Sequence, residues 1–274
     1  MTNKWIIQSF WSAPFSDDIQ MLRNMALLSV MYCHRSGYKV KLYTDSGGIE
    51  ILSDIPYDAV DLELNKIGDN VPENMLACGK FFALRKELDL YRSRDEHNPL
   101  VHVDIDVFLK KPCIDDIYND RTIDLIVQGS EPFEYFEDYA KVIRNMYLLG
   151  YPKGCKLSWR QTFNVGVIGF NNIELLERYI NNYFDALDIY TKNKVHQFCN
   201  DTNISIKDRT MIFDFVLEQQ TIAYMSFGMQ IKELLPIFDT LEVADAIGYQ
   251  HLQGNLKWSK HANENIERLI KKYS

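Results

Sequence analysis

The chain has 274 residues, 46% of them hydrophobic and 13% aromatic, and carries 38 Asp and Glu against 30 Lys and Arg, a formal charge of −8. That length supports a sizeable buried core, and the acidic balance argues against a nucleic-acid binder, whose footprint is usually a basic patch. The chain has no apolar run of signal-peptide or membrane-spanning length, and its five cysteines are scattered without a CxxC pair; a cytoplasmic protein with reduced thiols is the expectation.

Lys4 to Trp11 reads as a first buried strand, broken by Ser12-Ala13-Pro14. Apolar residues then recur at helical spacing from about Asp17 to Arg35, and Gly37 follows as the C-cap. Lys39 to Asp45 alternates as a second strand, and Ser46-Gly47-Gly48 is expected to turn the chain. Strand, helix and strand in that span make a βαβ unit, and hence a parallel sheet. Ligands of such sheets gather at the carboxyl ends of the strands. Trp11, Tyr43 and Asp45 fall there, where an aromatic ring either stacks on a base or fills the core. A short strand is expected within 55–62, and a helix opens at Gly79 with Phe81, Leu84, Leu88 and Tyr91 on one stripe. Lys80 lies at its N-terminus, where the helix dipole favours an anion, so it is either solvated or beside a phosphate.

The stretch from Val101 to Leu109 alternates strictly and predicts one strand, with His102, Asp104, Asp106 and Phe108 on one face. Aspartate is depleted in strands. Two carboxylates at i and i+2 point the same way and repel unless a cation or protons neutralise them; a hard divalent ion is the simplest partner, and a solvated strand end is the alternative. Further on, 124–128 predicts a strand, 133–151 a helix, and 161–170 a strand. Gly166 inside that last strand implies a group approaching its backbone closely. Asn171-Asn172 caps a helix from Ile173 to about Leu187, and a further helix from Phe213 to Met225 carries Glu218 and Gln219 among apolar neighbours. Near the end, His251, Gly254 and Lys257 stand three residues apart, a spacing that suits a tight loop facing an anion: an imidazole can ligate a divalent ion, and a lysine can hold a phosphate. The tail from Asn263 is a short basic amphipathic helix that docks on the domain or touches a membrane surface, docking being preferred.

Taken together these motifs resemble the GT-A glycosyltransferases, above all the family 8-like group and its bacterial relatives. Asp104-Ile105-Asp106 looks like their DxD motif, Phe163-Asn164-Val165-Gly166-Val167 like their FNxGV strand, Glu218-Gln219 like their acidic-Gln pair, and His251 to Lys257 like their HxxGxxK motif. The resemblance covers most of the chain. It implies one α/β GT-A-type domain with a Rossmann-like, mostly parallel sheet flanked by helices: residues 1–125 as the nucleotide-binding half, 126–262 as the acceptor and donor-sugar half, and 263–274 as a helical tail. It further implies a nucleotide-sugar donor, most often a UDP-sugar, held through Mn²⁺ or Mg²⁺ by Asp104, Asp106 and His251. Lys257 and Gly254 would lie on the diphosphate, Asn164 and Gln219 beside the sugar, with Gly166 in the same strand, and a glycan or other hydroxyl acceptor opposite. Retention of configuration is favoured; inversion would need a base, Glu218 or, second, Glu131. The sequence departs from the pattern in three ways: Trp258 follows Lys257 where a proline is usual, Glu218 replaces aspartate, and the insertion between Asn164 and Glu218 is long. A non-catalytic nucleotide-sugar-binding protein is the main alternative. A nucleotidyltransferase ranks lower, because 8–14 lacks a Gly-rich basic signature.

Overall fold

The computed structural model describes residues 4–15, 18–94, 98–132, 161–193, 206–235, 247–252 and 259–273. Seven strands form one sheet: β1 (Trp5–Phe10), β2 (Lys39–Thr44), β3 (Ala59–Asp61), β4 (Leu100–Val103), β6 (Leu125–Pro132), β7 (Gln161–Phe170) and β8 (Ile231–Glu233), in the order β3-β2-β1-β4-β7-β6-β8. All neighbours pair in parallel except β7, which runs antiparallel to both β4 and β6. The mostly parallel α/β sheet expected from the first βαβ unit is therefore present, with one reversed strand, β7, between β4 and β6. A separate ribbon joins β5 (Val107–Leu109) to β9 (Tyr249–His251).

Alternation within the strands feeds two cores, one on each face of the sheet. Ile7 points to the face covered by helix α3 (Cys78–Tyr91), the 173–193 helix and the 206–225 segment; Ile6 and Phe10 point to the face covered by α1 (Ile19–Arg35). Phe81 of α3 stacks on Tyr183 with ring centroids 3.7 Å apart, and Leu176, Tyr179, Ile180 and Leu187 line the same buried stripe. Each such apolar side chain contributes about 1.5–3 kcal/mol by leaving water. Helix α1 ends as expected: Gly37 has φ +84°, and the Gly37 and Tyr38 N–H groups donate to the His34 and Cys33 carbonyls. The 260–273 tail helix packs on α1 through buried Ile266, with Tyr273 edge-on to Tyr32 and Arg35 over the Tyr273 ring. Among the described residues no helix is long and apolar enough to cross a membrane.

Two local expectations are corrected. Ser46-Gly47-Gly48 does not simply turn the chain; it opens helix α2 (Ser46–Leu52), because the Asp45 side chain accepts from the Gly48 N–H as an N-cap. Position 48 needs a glycine, since a Cβ there would collide with the Thr44 hydroxyl. The 101–109 strand is broken in two, and that break builds the site. The helix expected over 133–151 lies outside the described residues.

Candidate cation and nucleotide cleft

At the carboxyl end of β4 the Asp104 N–H still donates to the Gly166 carbonyl of β7 (2.8 Å), extending the ladder by one residue. The chain then turns sharply, the Val107 N–H donating to the Asp104 carbonyl (3.1 Å). The turn lifts Asp104-Ile105-Asp106 out of the sheet, where a strand would have forced two carboxylates into register with apolar neighbours. After it, β5 pairs with β9, placing Val107 opposite His251. One ligand atom each of Asp104, Asp106 and His251 falls within 4.8 Å of the others, with His251 Nε2 3.3 Å from Asp106 Oδ1. Two carboxylates and an imidazole converging in this way fit a divalent ion such as Mn²⁺ or Mg²⁺.

The other edge of the His251 ring is enclosed. Its Nδ1 lies 2.8 Å from Gln128 Oε1, which also accepts from the Tyr249 hydroxyl (2.6 Å). A Cβ on Gly166 would stand 2.7 Å from His251 Cε1 and 2.9 Å from Gln128 Oε1. The close approach expected at this glycine is therefore the imidazole ring, which a larger residue would have to displace.

Behind the aspartates sits a buried ion cluster. Lys80, 4% exposed, donates to Glu218 and to the Val165 carbonyl (3.0 Å), and its ammonium lies 3.0 Å from Asp104 Oδ1. This corrects the solvated-lysine reading: α3 carries the side chain inward, and three oxygens surround its ammonium. Burial alone would lower the Lys80 pKa, but Asp104 and Glu218 outweigh it and hold the ammonium well above its usual range. Burial raises the carboxyls of Asp104 and Glu218 against the pull of the same lysine. Glu218 is presented by a π-helical segment, 216–220, whose Glu218 carbonyl accepts from the Tyr179 hydroxyl (2.6 Å); such irregular turns recur at functional sites. One turn earlier Asp214 is fully buried, accepting from the Ala77 N–H and the Tyr183 hydroxyl (both 2.6 Å), and burial pushes its carboxyl up to about 7.

Asp104, Asp106, His251, Lys80 and Glu218 face a common cleft of about 370 Å³. Of the residues singled out in the sequence, Trp11, Lys80, Asp104, Asp106, Asn164 and Gly166 line it together with Glu218, Gln219 and His251. Asn164 Nδ2 donates to Glu131 (2.6 Å), which also faces the cleft and is partly exposed. Tyr43 and Asp45 are not among its lining residues. Tyr43 is fully buried, its hydroxyl donating to Glu87 (2.5 Å), so it belongs to the core and has no face to offer a base. Asp45 spends its oxygens on the α2 cap and on Ser12. Gly254 and Lys257 lie outside the described residues. Sequence reasoning missed Gln128, Tyr249 and Asp214. Gln128, in an otherwise apolar strand, was the one legible signal among them.

Comparison with solved structures finds similarity to mouse xyloside xylosyltransferase 1 (12% identity, 85% of each chain, TM-score 0.43). The galactosyltransferase LgtC, in complex with donor and acceptor sugar analogues, is also similar (12% identity, 98% of this chain and 95% of that one, TM-score 0.45). So is CMP:2-keto-3-deoxy-manno-octonic acid synthetase complexed with CTP (11% identity, 100% of each, TM-score 0.39). No curated protein matches in sequence. One family model does match, over residues 4–274, and the chain therefore belongs to the family described as "Family of unknown function (DUF6734)".

Proposed function

We propose that the protein is a metal-dependent glycosyltransferase of GT-A type that takes a nucleotide-sugar, most simply a UDP-sugar, and transfers its glycosyl group to a hydroxyl acceptor such as a glycan or surface-polysaccharide precursor. The observation that carries this reading is the convergence of Asp104, Asp106 and His251 in one cleft at the carboxyl end of the parallel strands, where an α/β sheet receives its ligand. In the sequence, Asn164, Gly166, Glu218 and Gln219 belong to motifs that resemble the same group of enzymes, and all four line the same space.

Asp104, Asp106 and His251 would hold Mn²⁺ or Mg²⁺, which supplies neutralisation of the charge that develops on a leaving diphosphate. Trp11, at the end of β1, offers a wall for the nucleoside. Lys80 fixes Asp104 and Glu218 rather than a donor phosphate; the motif resemblance assigns the diphosphate to Lys257 and Gly254. Asn164 and Gln219 would flank the donor sugar. With retention of configuration no protein base is required beside the acceptor. For the inverting alternative, Glu131 is better placed than Glu218, because it is partly exposed in the cleft whereas Glu218 is buried against Lys80.

The test is a screen of nucleoside diphosphates and their sugars by thermal shift, with Mn²⁺ or with chelator, followed by assay of sugar release and transfer. The expected result is stabilisation by UDP or a UDP-sugar that requires metal, and turnover abolished by Asp106→Ala without loss of fold. Transfer at the wild-type rate by Asp106→Ala in chelator would refute the reading. Metal-dependent binding without hydrolysis or transfer of any donor would favour a non-catalytic nucleotide-sugar-binding protein.

A further inference from the structure

The pairing of β6 with β7 contains a fault. Val127 pairs with Ile168 and Gly129 with Asn164, so Gln128 alone stands opposite residues 165–167. At this point β7 turns its hydrogen bonding elsewhere: the Gly166 carbonyl accepts from the Asp104 N–H and the Gly166 N–H donates to Asn164 Oδ1 (3.0 Å). Faults of this kind re-aim a side chain. Here the gap over Gly166 admits the His251 ring and the tip of Gln128, each within 3 Å of where a Cβ would be.

Gln128 is 6% exposed. Its Oε1 accepts from the Tyr249 hydroxyl at 2.6 Å and lies 2.8 Å from His251 Nδ1. With the amide oxygen on this edge, the proton of a neutral ring belongs on Nδ1. The lone pair of a neutral ring is then on Nε2, the nitrogen 3.3 Å from Asp106 Oδ1. Two acceptors facing each other across that gap are unfavourable by themselves and favourable around a cation. With the opposite tautomer, Nε2–H would donate to Asp106 and a proton would occupy the cation's place. The choice of tautomer therefore decides whether the three side chains present a proton or an open ligand set.

We infer that Gln128 is a positioning residue for the cation site: held as an acceptor by Tyr249, it keeps the proton of His251 on Nδ1 and turns Nε2 toward Asp104 and Asp106. This rests on the cation reading of the cleft. Outer partners of metal-bound histidines act in this way, and their loss typically lowers metal affinity about 10–100-fold. The carboxamide does so without adding a further charge beside two aspartates.

Two readouts separate this inference from the reading it rests on. Nitrogen NMR of ¹⁵N-histidine-labelled, metal-free protein, above the titration range of the imidazole, reports which nitrogen of His251 carries the proton. Calorimetry with MnCl₂ reports affinity. Wild type should show Nδ1–H. Gln128→Leu should move the proton to Nε2 and weaken Mn²⁺ by about 10–100-fold while keeping a wild-type far-UV spectrum. Gln128→Glu retains an acceptor and should retain Nδ1–H and most of the affinity. An Nε2–H signal in wild type, unchanged affinity in Gln128→Leu, or equal losses in the Leu and Glu variants would overturn the inference. If wild type binds no Mn²⁺, the cation reading itself falls, while the tautomer signals still decide what Gln128 does to His251.

Discussion

Replacing Lys80 by methionine tests the electrostatic frame of the cleft. The substitution keeps most of the side-chain volume and removes the ammonium that lies between Glu218 and Asp104. Glu218 is then a carboxylate 6% exposed without its cation, and Asp104, about a third exposed, loses the same neighbour. Removing one partner of a buried ion pair costs about 3–5 kcal/mol, because the remaining charge stays desolvated. The Glu218 side dominates, since water screens Asp104 in part. For a chain of this size that loss lowers the melting temperature by on the order of 10 °C.

The sign with pH follows from the direction of the Glu218 shift. Burial already raises this carboxyl against the pull of Lys80, and without the lysine it rises further. The folded variant therefore takes up a proton on acidification that the unfolded chain does not, and its deficit shrinks as pH falls. Urea unfolding at pH 8 and pH 5 should show a large deficit at the first and a smaller one at the second. The double variant Lys80→Met/Glu218→Gln should recover most of the loss at pH 8, because the buried carboxylate at 218 is gone and only the partly exposed Asp104 is left without the lysine. A deficit below about 1 kcal/mol at pH 8, or one untouched by the second substitution, would refute the reasoning, since it would equal no more than a surface pair.

Two further outcomes are expected. Gly166→Ala places a Cβ 2.7–2.9 Å from the His251 ring and Gln128 Oε1; overpacking should cost about 1–3 kcal/mol and weaken Mn²⁺ in calorimetry, whereas wild-type values for both would mean the ring does not lie there. Asp214 is held near 7 by burial against an ordinary value of 3.8, so the folded state keeps a proton the unfolded chain has lost. Stability should fall by about 1.4 kcal/mol per pH unit between those values. Asp214→Asn should remove that slope and be more stable than wild type above pH 7, by up to about 4 kcal/mol; equal pH profiles of denaturant midpoint would contradict this.

Much of the fold was legible because its signals are local. Apolar runs marked β1 and β7, alternation marked β2, helical spacing marked α1 and the 173–193 helix, and Gly37 and Asn172 marked helix ends. The strand across 101–109 was misread for a physical reason. Its period is that of a strand, but the turn after Val103 is fixed by the Gly166 carbonyl and by pairing with β9, both distant in sequence. Asp104, Asp106 and His251 could be singled out by residue type, because acidic pairs are rare in strands. Asp214 could not, and Gln128 showed only as a polar residue after an apolar run, since what makes each notable is a partner more than 100 residues away. Tyr43 shows the converse: its place at a strand end is right, and its face is turned into the core.

The proposed joint grip of two carboxylates and one imidazole on a single cation can be tested directly with Mn²⁺. Pulsed electron paramagnetic resonance of the Mn²⁺-loaded protein should show coupling to one imidazole nitrogen, which His251→Ala removes and Asp106→Ala diminishes together with the affinity. Bound Mn²⁺ without a nitrogen coupling, or a coupling that survives His251→Ala, would place the ion elsewhere and contradict the account.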